Sequence, residues 1–348
     1  MPSVVRRFVD AAPAPPGTSV REDTISVGLG AWMVVGLYVD GWAHNTVRGL
    51  ETFFTPWHGL LYSGFAAGAA WIGLLAWRRR AGRTWWSALP PGYHAAAVGV
   101  ALFGLGGLGD MAWHIAFGVE VGLDALLSPT HLVLLTGATL MLTAALRANW
   151  SRPPSPGRCS LRLDLPAILS LMLVTALAGF FLMYTSVFLR PAAAQPFVQL
   201  FEGSAGHGSD EGGAAAGLAD YLVTTALLVL PVLLAARHGR RPIGTIVILV
   251  AGVAWATIAV GDFTDYGVAA ALAVTAAAGA AEGGHPDRPL RSRQVRALGG
   301  SRRDGSGAAV ARSATRRSCH HRLAMAGRVM VGRGRPDGAG RRRARRSS

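Results

Sequence analysis

The chain contains no lysine; all 34 of its basic residues are arginine. Beside 45 glycines and an alanine-rich composition, this reads as the codon bias of a GC-rich genome, so arginine in place of lysine carries no functional meaning. Cysteine is almost absent. Cys159 and Cys319 stand in a polar loop and in the carboxy-terminal stretch, which excludes a disulfide framework or a thiolate metal site. Charge is also scarce: 15% of residues are charged, well below the ~25% usual for soluble domains. The first 24 residues hold Arg6, Arg7, Asp10 and four prolines without an apolar core, so they do not read as a signal peptide.

What is abundant is apolar sequence, 51% of the chain. The net charge of +15 belongs to one end of it. Residues 1–280 carry 16 Arg against 15 acids, and residues 281–348 carry 18 Arg against 4. The pI therefore describes a tail, and a nucleic-acid partner is not expected of the apolar body.

A helix needs about 20 apolar residues to cross a bilayer. Runs of that kind lie at 25–44, 56–77, 93–117, 129–148, 165–188, 218–236 and 243–261, with a shorter one at 266–281. The expectation is an all-α, polytopic transmembrane bundle of about seven or eight spans whose first partner is the lipid bilayer. Arg6, Arg7 and Arg21 precede the first span, and 11 more arginines follow the second, fourth and sixth, against Arg48 and Arg190 on the other side. The positive-inside rule then places the amino terminus in the cytoplasm, in a bacterial plasma membrane. The organisation read from this is a cytoplasmic segment 1–24, a membrane unit 25–148, a cytoplasmic loop 149–163, further spans 164–281 with an outer loop 189–217, and a basic disordered tail 282–348. The abrupt change after Ala281 is the pattern of out-of-frame translation of GC-rich DNA; the alternative is a basic tail that touches anionic lipid.

One motif occurs twice. Asp40-x3-His44 is followed by Glu51-x3-Thr55-Pro56-x-His58-x5-Gly64, and Asp110-x3-His114 by Asp124-x3-Ser128-Pro129-x-His131-x5-Gly137. Only the connecting loop differs, by three residues, so a duplicated helical hairpin is expected. Residues four apart share a helix face, so each Asp/His pair points one way at the end of an outgoing helix. Thr55-Pro56 and Ser128-Pro129 read as an N-cap and first-turn proline, with a histidine in the first turn of the returning helix. By the topology above, Asp40, His44, Glu51, His58, Asp110, His114, Asp124 and His131 all lie at the extracytoplasmic end. Ionisable groups at membrane depth are costly and tend to mark function. A transition-metal site at this end is the leading expectation, with one centre shared by both hairpins or two separate ones left open, and a polar or proton network without metal is the alternative. Haem is disfavoured because the histidines share one level and are crowded by carboxylates. The glycine run from Gly104 to Gly109 is a helix-packing surface within a span, so no nucleotide is expected.

Asp-x3-His with a further His on the next helix resembles the copper-site motif found in one membrane-spanning component of the particulate methane and ammonia monooxygenases. The matching residues are Asp40, His44, His58 and Asp110, His114, His131. The resemblance covers only these stretches, the gap to the last histidine is longer here, and Glu51 and Asp124 have no counterpart. It implies copper as a candidate metal, while the mixed ligand set also suits zinc, iron or manganese. Metal uptake, sensing or assembly, served by a metal-delivery protein or by partners in a membrane complex, is the function this suggests. The rivals are a membrane-embedded oxygenase-like enzyme and a structural membrane protein with a polar partner-binding cluster. Glu120, Glu202, His207, Asp210, Glu211, Asp262 and Asp265 are read as solvated or interfacial groups at the same end.

Overall fold

A computed structural model describes residues 17–47, 54–118, 122–152, 160–191, 211–238 and 242–283. The described chain is helical, with α1 (Val20–Thr46), α2 (Pro56–Arg78), a short α3 (Trp85–Ala88), α4 (His94–Phe117), a short α5 (Leu123–Leu126), α6 (Pro129–Leu142), α7 (Ala144–Trp150) and α8 (Leu161–Phe181). A 3₁₀ turn at Met183–Thr185 follows, then α9 (Glu211–Arg237), α10 (Thr245–Val260) and α11 (Asp265–Gly283). Six helices are long and apolar enough to cross a membrane, seven if α6 and α7 make one bent span, and α10 is a shorter apolar helix. The polytopic helical bundle expected from the hydropathy is what the chain forms. Its outer faces expose large apolar side chains such as Leu218, Leu222, Leu230 and Leu233 on α9, as lipid contact requires. The tail 284–348 lies outside the described residues.

Glycine sets the closeness of two helix pairs. A β-carbon on Gly36 or Gly64 would stand 2.6 Å from backbone atoms of Leu61 or Met33, so α1 and α2 meet main chain to main chain. Gly106 faces Leu134 and Gly137 faces Phe103, where a β-carbon would stand 2.6 Å from the Phe103 nitrogen, and these contacts join α4 to α6. Counted from each motif's aspartate and last histidine, the two pairs of contacts fall at the same positions. Such small-residue contacts let helices associate where lipid supplies no hydrophobic drive. The most buried span, α8, packs against α1, α6, α7, α9 and α10 and gathers the core around Tyr38, Phe103, Leu134, Ala176 and Phe180.

Two spans depart from the sequence reading. The fifth, expected over 165–188, starts at Leu161 and ends as α-helix at Phe181. The fourth, expected to be continuous over 129–148, bends by 41° between α6 and α7. The cause is a side chain inserted into the helical ladder. The Ser170 hydroxyl of α8 donates to the Leu142 carbonyl and accepts the Leu146 N–H, the two groups an unbroken helix would pair. Arg147 curls back to the Leu140 carbonyl at 2.6 Å and to the Gly92 carbonyl at 3.0 Å, covering a further acceptor freed by the break. Ser170 is fully buried, so Ser170→Ala strands two backbone groups unless the helix straightens. We expect a destabilisation of about 1–3 kcal/mol in detergent unfolding, and an undiminished midpoint would show that the bend forms without the hydroxyl.

One end of the bundle is held by ion pairs. Ser19 and Glu22 form a capping box at the start of α1. Glu22 receives Arg79 at 2.8 Å, and the carboxylate of Asp23 receives Arg152 and, at 2.9 Å, the Tyr93 hydroxyl. The arginine-rich connections after the second and fourth spans therefore share an end with the start of α1. Asp40 lies 17 residues further along α1, about 25 Å away at 1.5 Å per residue.

Candidate metal centre

At that far end the motif residues assemble. In the first hairpin, Asp40 and His44 occupy successive turns of α1, and α2 begins with Thr55 as N-cap and Pro56 at its first position. The Thr55 hydroxyl accepts the His58 backbone N–H at 3.1 Å and lies 3.0 Å from the His58 Nδ1, so the cap that starts the helix also holds the imidazole. Ser128 does both for His131 at the start of α6, at 3.3 and 2.8 Å. The N-caps expected from Thr-Pro and Ser-Pro are present, and each has this second role, which the sequence reading did not assign.

The carboxylates stand between the histidines. Asp40 Oδ2 is 3.8 Å from His44 Nε2, and its Oδ1 is 3.5 Å from His58 Nδ1. Asp110 Oδ2 is 3.6 Å from His114 Nε2, and its Oδ1 is 3.5 Å from His131 Nε2. These gaps exceed the ~3.2 Å limit of a good N–H···O hydrogen bond. Two atoms each about 2.0–2.2 Å from one ion at a tetrahedral angle stand about 3.3–3.6 Å apart. Three of the four gaps fall in that range and the fourth, Asp40 to His44 at 3.8 Å, is slightly wider, so each triad has room for an ion.

In the second triad the tautomer of His114 supports this. His114 Nδ1 lies 3.2 Å from the Gly118 carbonyl, which can only accept, so Nδ1 carries the proton. In the neutral ring the Nε2 lone pair then faces the Asp110 carboxylate, two electron-rich atoms that a cation would bridge. A histidine ligand characteristically donates its remote N–H in this way.

Burial raises the stakes. Asp110 is 1% exposed, Asp40 7% and His58 8%. Asp110 Oδ1 accepts the Thr130 hydroxyl at 3.0 Å, whereas Asp40 Oδ1 has no hydrogen-bond partner among the described residues. A buried carboxylate oxygen left without a donor is costly. A metal ion is one remedy.

Asp40, His44 and His58 form one group whose ligand atoms lie within 4.8 Å of one another, and Asp110, His114 and His131 form a second. The sequence left one shared centre and two separate ones open, and the grouping follows the hairpins: among the described residues each hairpin closes its own triad. The reason lies in the packing, since each aspartate faces the helix to which its own hairpin's glycines bind it. The triads are still neighbours, since Tyr62, stacked on His58, reaches Gly107, three residues before Asp110. Glu51, Glu120, Glu202, His207 and Asp210 lie outside the described residues. Asp124 falls on α5 and Glu211 on α9, with their side chains outside the description. Asp262, read as interfacial, accepts the Trp42 indole N–H.

Tyr62 was not singled out in the sequence. Its ring stacks on His58 with centroids 6.3 Å apart, and its phenol meets α4 at Gly107, where a β-carbon would stand 3.0 Å from the hydroxyl. It therefore stands between the two hairpins. Its position four residues after His58, on the same helix face, was the available signal. The corresponding residue of the other hairpin is Leu135.

No family model, no curated protein and no solved structure matches this chain.

Proposed function

We propose that this chain is an integral membrane protein that holds two transition-metal ions, one at Asp40, His44 and His58 and one at Asp110, His114 and His131, on the extracytoplasmic side. The observation that carries the reading is the 3.5–3.8 Å spacing between imidazole atoms and the carboxylates of two buried aspartates, Asp40 and Asp110. The matched glycine register of α1 with α2 and of α4 with α6 supports an internal duplication, with each copy supplying one aspartate and two histidines. The sidedness rests on the arginine-rich loops lying at the opposite end. Copper is the candidate metal, from the motif's resemblance to that of the copper monooxygenases. The service is metal uptake, sensing or assembly at the outer face.

A second reading is favoured by the ligand count. Two histidines and one carboxylate leave coordination positions open, as oxygen-activating iron sites and other catalytic metal centres require. An oxygenase-like reaction on a small apolar substrate is the enzyme this would make.

Metal analysis of protein purified in mild detergent tests the first reading. We expect about two equivalents of one transition metal, and none in the His58→Ala/His131→Ala double variant. Equal metal in both proteins would sink the proposal. Labelling of single cysteines placed after Trp77 and at Gly118 checks the sidedness: Gly118 should react from outside intact cells and the position after Trp77 should not.

A further inference from the structure

Helix α1 has two working faces. Met33, Gly36, Asp40 and His44 turn toward α2 and the first triad. The opposite stripe walls a cavity of about 500 Å³ between α1, α8 and α10, with Val34, Tyr38 and Trp42 on one side, Ala176 on another, and Gly252 and Ala256 on the third. That volume is within the range of about 300–1,000 Å³ usual for small-molecule sites. Small side chains on α8 and α10 create the space.

The wall is apolar along its length. Tyr38 does not offer its hydroxyl to the cavity, because that group donates to the Ala176 carbonyl at 2.8 Å. Polarity enters at one end, where Trp42 Nε1 donates to Asp262 Oδ1 at 2.5 Å and the exposed carboxylate stands at the mouth. The turn that places it there is strained. Asp262 and Phe263 have φ values of 56° and 51°, consecutive left-handed residues of which neither is glycine. Strain of this kind persists where the surroundings enforce it, and it gathers at ligand clamps. Here it sets Asp262 and Phe263, both lining residues, over the opening.

The geometry points to a binding site for a membrane amphiphile, with one hydrocarbon chain lying between α1, α8 and α10 and a hydrogen-bond-donating head, hydroxyl or ammonium, meeting Asp262. The polarity of the cavity runs as such a molecule lies in a leaflet, apolar at depth and polar at the surface. A spanning helix, about 30 Å long and 10–12 Å across with its side chains, displaces several times the cavity's 500 Å³. An anionic head without a donor is repelled by Asp262. The cavity lies behind the metal-facing side of α1, so the site stands independently of the metal reading.

The test uses the full chain in detergent, titrated with phosphatidylethanolamine brominated on its acyl chains, with tryptophan fluorescence as the readout. Bromine quenches on contact, and Trp42 lines the cavity. We expect a saturable quenching component that Trp42→Phe removes and that Ala256→Phe, which fills the slot, abolishes. Ala259→Leu is a milder filling variant should the first fold poorly, and helical circular dichroism verifies each. Asp262→Asn should retain chain binding while narrowing the preference for phosphatidylethanolamine over brominated phosphatidylcholine, whose head has no hydrogen-bond donor. Quenching that never saturates, or that is unchanged in a folded filling variant, means bulk lipid contact only and overturns the site. Self-association that a filling variant blocks would assign the slot to a second copy and overturn it as well.

Discussion

Replacing His58 with alanine is expected to halve the metal bound by the purified chain and to leave the affinity of the remaining ion unchanged. His131→Ala should do the same from the other side. The expectation follows from the division of the ligands, because Asp40, His44 and His58 close within one hairpin and Asp110, His114 and His131 within the other. Removing one of three protein ligands leaves a pair too weak to hold an ion at micromolar concentration. Isothermal titration with the metal found on the native protein reads stoichiometry and affinity together. Loss of both ions from a single replacement would mean that the triads act as one centre, and the independent-site reading would then fail. The imidazole removed in each case is held by a cap hydroxyl that also bonds the backbone N–H. The helix start therefore survives the substitution, and a lost ion reports ligation rather than unfolding.

Arg152→Ala should produce the largest loss of stability. Asp23 is 1% exposed, and Arg152 supplies the positive charge against its carboxylate. Taking away one partner of a buried pair leaves the other charge uncompensated, which costs about 3–5 kcal/mol. The Tyr93 hydroxyl still donates to Asp23, so the effect should fall short of complete unfolding. Asp23→Asn placed in the same chain should recover much of the loss, since the amide needs no counter-charge. Chemical denaturation in detergent, with all four members of the double-mutant cycle, measures the coupling. A coupling near zero would show that water or lipid headgroups neutralise Asp23 without Arg152. Metal content should be unaffected by either change, because the triads lie at the other end of α1.

The spans and the Asp-x3-His pairs were legible in the sequence because both depend on local periodicity. About 20 apolar residues specify a crossing helix wherever it packs, and residues four apart share a face in any helix. Thr55-Pro56 and Ser128-Pro129 announced helix starts for the same reason, since a cap acts within one turn. The bend at Thr143 left no such trace: it arises from Ser170, 24 and 28 residues away from the groups it bonds. The Thr130 hydroxyl on Asp110, and the absence of any such donor on Asp40 Oδ1 among the described residues, likewise distinguish two stretches that read alike. Tyr62 gained its place only when α2 met α4 at Gly107. The sequence by itself thus determined which residues form helices and which ligands share a face. Only the tertiary structure decided that those side chains gather into two triads, one per hairpin, because that depends on which helices approach closely enough to exchange side chains. Main-chain contact at Gly36, Gly64, Gly106 and Gly137 brings each aspartate to the histidine of its own hairpin.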